Sequence, residues 1–167
     1  DILNILKKII NKLTIIPSFK KINFIVQSPL QRQEELITFL KKNVYHYNIK
    51  NFYEDFENIL IKTDIALCRS GAGTINDLIN YSIPAIICPL PSAKFNHQYE
   101  NAKILSDINC ALILNKNEIN IDKIILFINK VINDKDFNKS LLNNFYKIKN
   151  QNASELMWKY IDDDKKK

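Results

Sequence analysis

The chain has 167 residues, 46% of them hydrophobic, 10% aromatic and 25% charged. That suffices for one domain with a real core, is too little for two, and excludes a disordered, collagen-like or coiled-coil chain. The net charge of +6 rests on 22 Lys and only 2 Arg, spread along the chain, and it comes with 29 Ile and 22 Asn. All three abundant residues have AT-rich codons, so the basicity reads as codon bias, and no nucleic-acid partner is expected.

Leu6, Ile9, Ile10 and Leu13 recur at helical spacing opposite Lys7, Lys8 and Lys12, which predicts an amphipathic helix over Ile2–Leu13. Pro17 and Ser18 break it. Ile22–Gln27 is short, apolar and β-branched, as a buried strand is. Pro29 suits the first turn of a helix, and Gln31–Lys42 follows with Leu36, Ile37 and Leu40 inward. Tyr47–Tyr53 reads as a strand, and Phe56, Ile59 and Leu60 as one face of a short helix. Ile65–Cys68 is a compact apolar strand. Arg69-Ser70-Gly71-Ala72-Gly73-Thr74 comes next, then a helix to Tyr81. Pro84–Pro89 is a strand between prolines, Asn96–Leu105 a helix, and Cys110–Leu114 a strand. Ile124, Ile125, Ile128, Val131 and Ile132 mark a further helix. Leu141, Leu142, Phe145 and Ile148 mark another, and Leu156, Tyr160 and Ile161 a last one. Asp162–Lys167 is a charged tail, expected to fray.

Strands alternate with helices and are apolar on both faces, which predicts an open, doubly wound α/β parallel sheet with ligands at the carboxyl ends of its strands. No apolar run reaches the roughly 18 residues of a membrane span. No signal peptide opens the chain; it begins at Asp1, already in a helical pattern, and looks like part of a longer protein. Cys68, Cys88 and Cys110 form no CxxC pair and are odd in number, as expected of reduced, buried thiols in a cytosolic protein. His46 has no ligand spacing around it, and no metal site is expected.

With only 2 glycines in the chain, their place at 71 and 73, after a strand and opening a helix, matters. Glycine tolerates positive φ and close ligand approach, and amides at a helix start favour an anion. Ser70–Thr74 is therefore a candidate phosphate cradle. It is neither a Walker loop nor the dinucleotide fingerprint, since no Gly-Lys-Ser/Thr follows and Asn76 stands where a third Gly would be. The alternative is a tight turn with Ser70 or Thr74 capping the helix. Asp77, one turn in, is either a dipole-favourable capping partner or an acceptor for paired sugar hydroxyls. Asn96-His97-Gln98 opens another helix and offers polar groups to a second sugar, or is plain surface.

These segments, with Pro84-Ala85, Pro89-Leu90-Pro91 and His97-Gln98-Tyr99-Glu100-Asn101-Ala102, resemble the carboxyl-terminal domain of the MurG family, in glycosyltransferase family 28. Phe52–Phe56 and Asn152-Ala153-Ser154-Glu155 add to the likeness, which covers nearly the whole chain. The resemblance implies a Rossmann-like domain, the C-terminal half of a GT-B glycosyltransferase, over residues 1–161. The activity implied is an inverting, metal-independent transfer of N-acetylglucosamine from UDP-N-acetylglucosamine to undecaprenyl-pyrophosphoryl-muramoyl-pentapeptide in peptidoglycan synthesis, without a cofactor. The alternatives are a related transferase or transferase subunit with another lipid-linked acceptor, or a non-catalytic nucleotide-binding module.

Carried over by resemblance, the backbone at Tyr53 would read the uracil edge. Ser70, Gly71, Ala72, Gly73 and Thr74 would meet the diphosphate, with Arg69 in the same donor-binding set. Asp77 stands where the family has a Glu on the ribose, one methylene longer. His97 and Gln98 would hold the N-acetylglucosamine hydroxyls, and Asn101 would anchor their helix and join the set. Phe95 replaces a common Asp. The family's first strand and glycine-rich loop are expected to precede this chain. So is an N-terminal domain carrying the catalytic base, the acceptor site and the membrane-facing patch. No catalytic residue is expected in this chain, which would have weak donor affinity alone. The implied location is cytoplasmic, peripheral on the inner membrane.

Overall fold

A computed structural model describes residues 2–15, 17–90, 97–114 and 119–150. The expectations at Phe95, Asn96, Asn152–Glu155, the helical stripe from Leu156 and the tail lie outside these residues, as does the boundary at residue 161.

Helix α1 (Ile2–Leu13) buries Ile5, Ile9, Ile10 and Leu13 along one stripe. A 3-10 turn over Pro17–Lys21 leads into β1 (Asn23–Gln27). Helix α2 (Leu30–Asn43) follows, with Pro29 just outside it as N-cap rather than in its first turn. Next come β2 (His46–Lys50), α3 (Phe56–Ile61), β3 (Ala66–Cys68), α4 (Ala72–Tyr81) and β4 (Ala85–Ile87). The chain continues with α5 (His97–Ser106), β5 (Ala111–Ile113), α6 (Ile121–Asn133) and α7 (Lys135–Lys149). Each described element predicted from periodicity is present, but β1 and β2 are not buried on both faces: Asn23, Ile25 and Gln27 and His46, Asn48 and Lys50 are exposed, since one face of this two-stranded sheet is left uncovered among the described residues. The clearest boundary shift is at β2, which ends at Lys50 and leaves Tyr53 in the loop beyond.

All pairings are parallel, as the apolar strands predicted. They fall in two sheets, β1–β2 and β3–β4–β5, because no described strand joins β1 to β3. One core nevertheless serves both. Ile5, Ile9 and Ile10 of α1 cluster with Leu40 of α2, Ile86 of β4 and Ile124 and Ile128 of α6, against half-buried Phe24, Val26 and Leu67. A second core, on the other face of the larger sheet, joins Ile75 and Leu78 of α4, Ala102 and Leu105 of α5, and Leu141 and Phe145 of α7. Strand β4 shows why its sequence lacks polar residues. Ile86 faces the first core while Ala85 and Ile87 face the second, so every position is buried.

The two positive-φ residues among the described ones are not glycines: Ser82 (φ 54°) and Asn109 (φ 57°). Each ends a helix in the same way. Ile83 N–H donates to Leu78 O at 2.9 Å, and Cys110 N–H to Leu105 O at 2.8 Å, the long bond of a left-handed helix stop. Both stops turn the chain straight into a strand.

Candidate functional site

Strand β3 ends at Cys68, and α4 starts four residues later with Gly71 as its N-cap (φ −61°) and no side-chain cap. Neither Ser70 nor Thr74 caps the helix, and no capping-box bond forms at Asp77. The first bond of the turn is Ile75 N–H to Gly71 O at 3.0 Å. That leaves the amides of Ala72, Gly73 and Thr74 without an acceptor among the described residues. Neither glycine uses positive φ, contrary to the conformational argument for them. A Cβ added at Gly73 would meet nothing within 4 Å, and one at Gly71 would meet only Thr74 Oγ1 at 3.7 Å. Among the described residues, neither crowding nor positive φ requires glycine at either position. Ser70 is fully buried, and its hydroxyl is the one buried side-chain polar atom without a hydrogen-bond partner among the described residues.

Hydrogen bonds to two other segments fix this turn. Asn101 Nδ2, on α5, donates to Ser70 O at 3.0 Å. Arg69 Nη1 donates to the carbonyls of Cys88 (2.8 Å) and Pro89 (3.3 Å), just past β4. Leu90 N–H donates to Gln98 Oε1 at 2.8 Å. A backbone N–H on that oxygen sets the orientation of the Gln98 amide, so its NH₂ is the group left to meet a ligand. Arg69, Ser70, Gln98 and Asn101 are therefore brought together, at the carboxyl ends of β3 and β4. The bonds from Arg69 and Asn101 span 19 to 31 residues, and no local spacing announces them. The carbonyls of Cys88 and Pro89 are site elements that the sequence reading missed.

Tyr53 lies past β2, in the other sheet. Its ring is buried, and its hydroxyl donates to Asn48 O at 2.9 Å. Beside it opens a cavity of about 560 Å³, lined among others by Lys50, Phe52, Asn58 and Lys62. A bond from Tyr81 OH to Glu57 Oε1 (2.8 Å) ties α3, below this cavity, to α4. Asp77 is half-buried on α4, one turn from the open amides, and His97 is exposed at the first position of α5. Among the described residues, neither Tyr53 nor Asp77 hydrogen-bonds to the Arg69–Ser70 turn. No group of His, Cys, Asp and Glu among the described residues is placed to hold a metal ion.

Arg69 also stands beside Cys88. Burial raises that thiol's pKa, and the guanidinium charge partly opposes the shift. Burial pushes Cys68 up to about 12 and Cys110 up to about 11. All three thiols are free, and such shifts keep them protonated and unreactive.

Over residues 2–157 the chain matches the family described as the glycosyltransferase family 28 C-terminal domain. The chain belongs to that family. Among curated relatives it is 36% identical over 120 residues to the UDP-N-acetylglucosamine–N-acetylmuramyl-(pentapeptide) pyrophosphoryl-undecaprenol N-acetylglucosamine transferase of Rickettsia felis, covering 68% of this chain and 33% of the relative. The transferase of the same name from Rickettsia bellii is 39% identical over 88 residues, 50% of this chain and 25% of that one. The chain thus spans a quarter to a third of the length of these relatives. Among solved structures, Acinetobacter baumannii MurG superimposes with a TM-score of 0.65 at 23% identity, covering 84% of this chain and 44% of that one. The glycotransferase of kitacinnamycin gives 0.65 at 14% identity, covering 95% and 38%. These likenesses establish a Rossmann-like α/β fold of the GT-B kind. No helix among the described residues is long and apolar enough to cross a membrane.

Proposed function

We propose that this family 28 domain binds the donor of a UDP-N-acetylglucosamine-dependent glycosyltransferase whose acceptor is lipid-linked muramoyl-pentapeptide. One observation carries the reading: among the described residues, three amides at the start of α4 have no acceptor, and the adjoining Ser70 hydroxyl is buried without a partner. A helix start with free amides is a site for an anion, here the donor's diphosphate. The curated relatives' names supply the rest of the substrate pair.

In the transfer, an acceptor hydroxyl attacks the anomeric carbon and UDP departs. Negative charge grows on the diphosphate as the glycosidic bond breaks. The amides of Ala72, Gly73 and Thr74 and the Thr74 hydroxyl stabilise that charge, because they are already oriented before it develops. Asp77 accepts hydrogen bonds from the ribose hydroxyls. The backbone at Tyr53 reads the uracil edge, next to a cavity with room for the base. His97 and the NH₂ of Gln98 hold the sugar. The general base and the acceptor site belong to a further domain, which also makes the contact with the inner membrane's cytoplasmic face. Positioning the two substrates between domains supplies the other part of the rate.

Isothermal titration of the protein with UDP tests this. Saturable heat, competed by UDP-N-acetylglucosamine, is expected; none at millimolar UDP would refute donor binding. Asp77→Ala should weaken UDP binding by about 1–3 kcal/mol, the loss of a charged hydrogen-bond acceptor for a hydroxyl pair. Unchanged affinity would remove Asp77 from the ribose.

A further inference from the structure

We propose that Arg69 is a positioning residue: its guanidinium clamps the end of β4 to the phosphate cradle and acts on a bound diphosphate through that clamp, not by pairing with the anion. This rests on the donor-binding reading above. Arg69 follows β3 directly and precedes the buried Ser70. Its Nη1 is committed to two carbonyl oxygens, Cys88 at 2.8 Å and Pro89 at 3.3 Å. Those contacts fix the plane of the guanidinium and place part of its charge on backbone dipoles.

The clamped loop is held from two more sides. Cys88 N–H donates to Cys68 O at 2.8 Å, and Leu90 N–H to Gln98 Oε1 at 2.8 Å. Asn101, one turn further along α5, holds Ser70 O. Arg69, Gln98 and Asn101 therefore close a ring of side-chain bonds through three segments: the turn before α4, the exit of β4 and the first two turns of α5. Short strands explain the need. Strands β3 and β4 share three paired residues, too few to fix the loops that leave them. The residue type fits this role as well. The chain has 22 Lys against 2 Arg, and an ammonium on a flexible stem does not hold two carbonyls in one plane.

Hydrogen exchange on the unliganded protein and UDP titration over a range of salt together test the clamp. The variants are Arg69→Met, Arg69→Lys and, as control, Lys149→Met, which removes a tie at the far end of α4 to Asn80 O and Ser82 Oγ. In Arg69→Met the Cys88 and Leu90 amides should exchange about tenfold faster, as for loss of a charged hydrogen bond, with α6 amides unchanged. UDP affinity should fall by about tenfold, with the same dependence on salt as the wild type. Arg69→Lys should recover part of both losses, and Lys149→Met should alter neither. Wild-type exchange at Cys88 and Leu90 in Arg69→Met would overturn the clamp. A flatter salt dependence in that variant would overturn positioning in favour of a direct ion pair. If the wild type binds no UDP, the donor reading falls, while the exchange arm still decides whether the clamp exists.

Discussion

Two thiols change how this protein responds to alkali. Cys68 is held up to about 12 and Cys110 to about 11 by burial, against an ordinary value of 9. Below pH 9 both states keep these protons, and the native state gains nothing from the difference. Above it the unfolded chain releases protons that the native chain retains, so stability falls as pH rises from about 9 toward the folded values. Urea unfolding at about pH 8.5 and about pH 10 should show that fall, and the slope should flatten in Cys68→Ala. An identical slope would assign the alkaline loss to other groups. The same residue scale shows what spacing cannot announce. Arg69 looked like one member of a cradle motif, and its partners lie 19 and 20 residues away. Ser70 reads from sequence as part of a phosphate cradle or, alternatively, as a helix cap; it caps nothing, and its buried hydroxyl has no partner among the described residues.

Elements here begin and end by rules that the sequence states unevenly. Asn120 caps α6 by accepting from Lys123 N–H at 3.0 Å, and Asp134 caps α7 from Phe137 N–H at 2.9 Å. Asn120→Ala should cost about 1 kcal/mol of stability in urea unfolding, with the helix content retained. No measurable change would mean that water replaces the cap. The helix stops at Ser82 and Asn109 were not legible, because a left-handed stop usually advertises itself with glycine. Asn tolerates that conformation. Ser82 is held by Lys149, which donates to its hydroxyl at 2.9 Å and to Asn80 O at 2.7 Å from the end of α7. Helices α1 and α6 were the most legible, since their buried residues (Ile5, Ile9, Ile10 and Leu13; Ile124, Ile128 and Val131) recur at helical spacing, while α7 buries only Leu141 and Phe145.

The whole molecule depends on α1 to unite its two sheets. Ile10 is fully buried among residues from β4, α2 and α6 and against half-buried side chains of β1 and β3. Ile10→Ala should destabilise the chain by about 2–5 kcal/mol through the lost contacts and the cavity left behind. Amides of β1 and of β4 should lose exchange protection together. Loss confined to β1 and β2 would show that the sheets unfold as separate units.

The α/β class, the parallel direction of the strands and the glycine-marked turn before α4 were legible from residue order alone. Hydrophobic periodicity is a local signal that burial enforces within each helix, and a run apolar on both faces is one that burial enforces at β4. The division into two sheets, the glycines' negative φ, the orphaned Ser70 hydroxyl and the Arg69–Gln98–Asn101 ring were decided only by the tertiary structure. Those features depend on which backbone atoms come within about 3 Å of which side chains, and hydrogen bonds at that range depend on the folded path, not on distance along the chain.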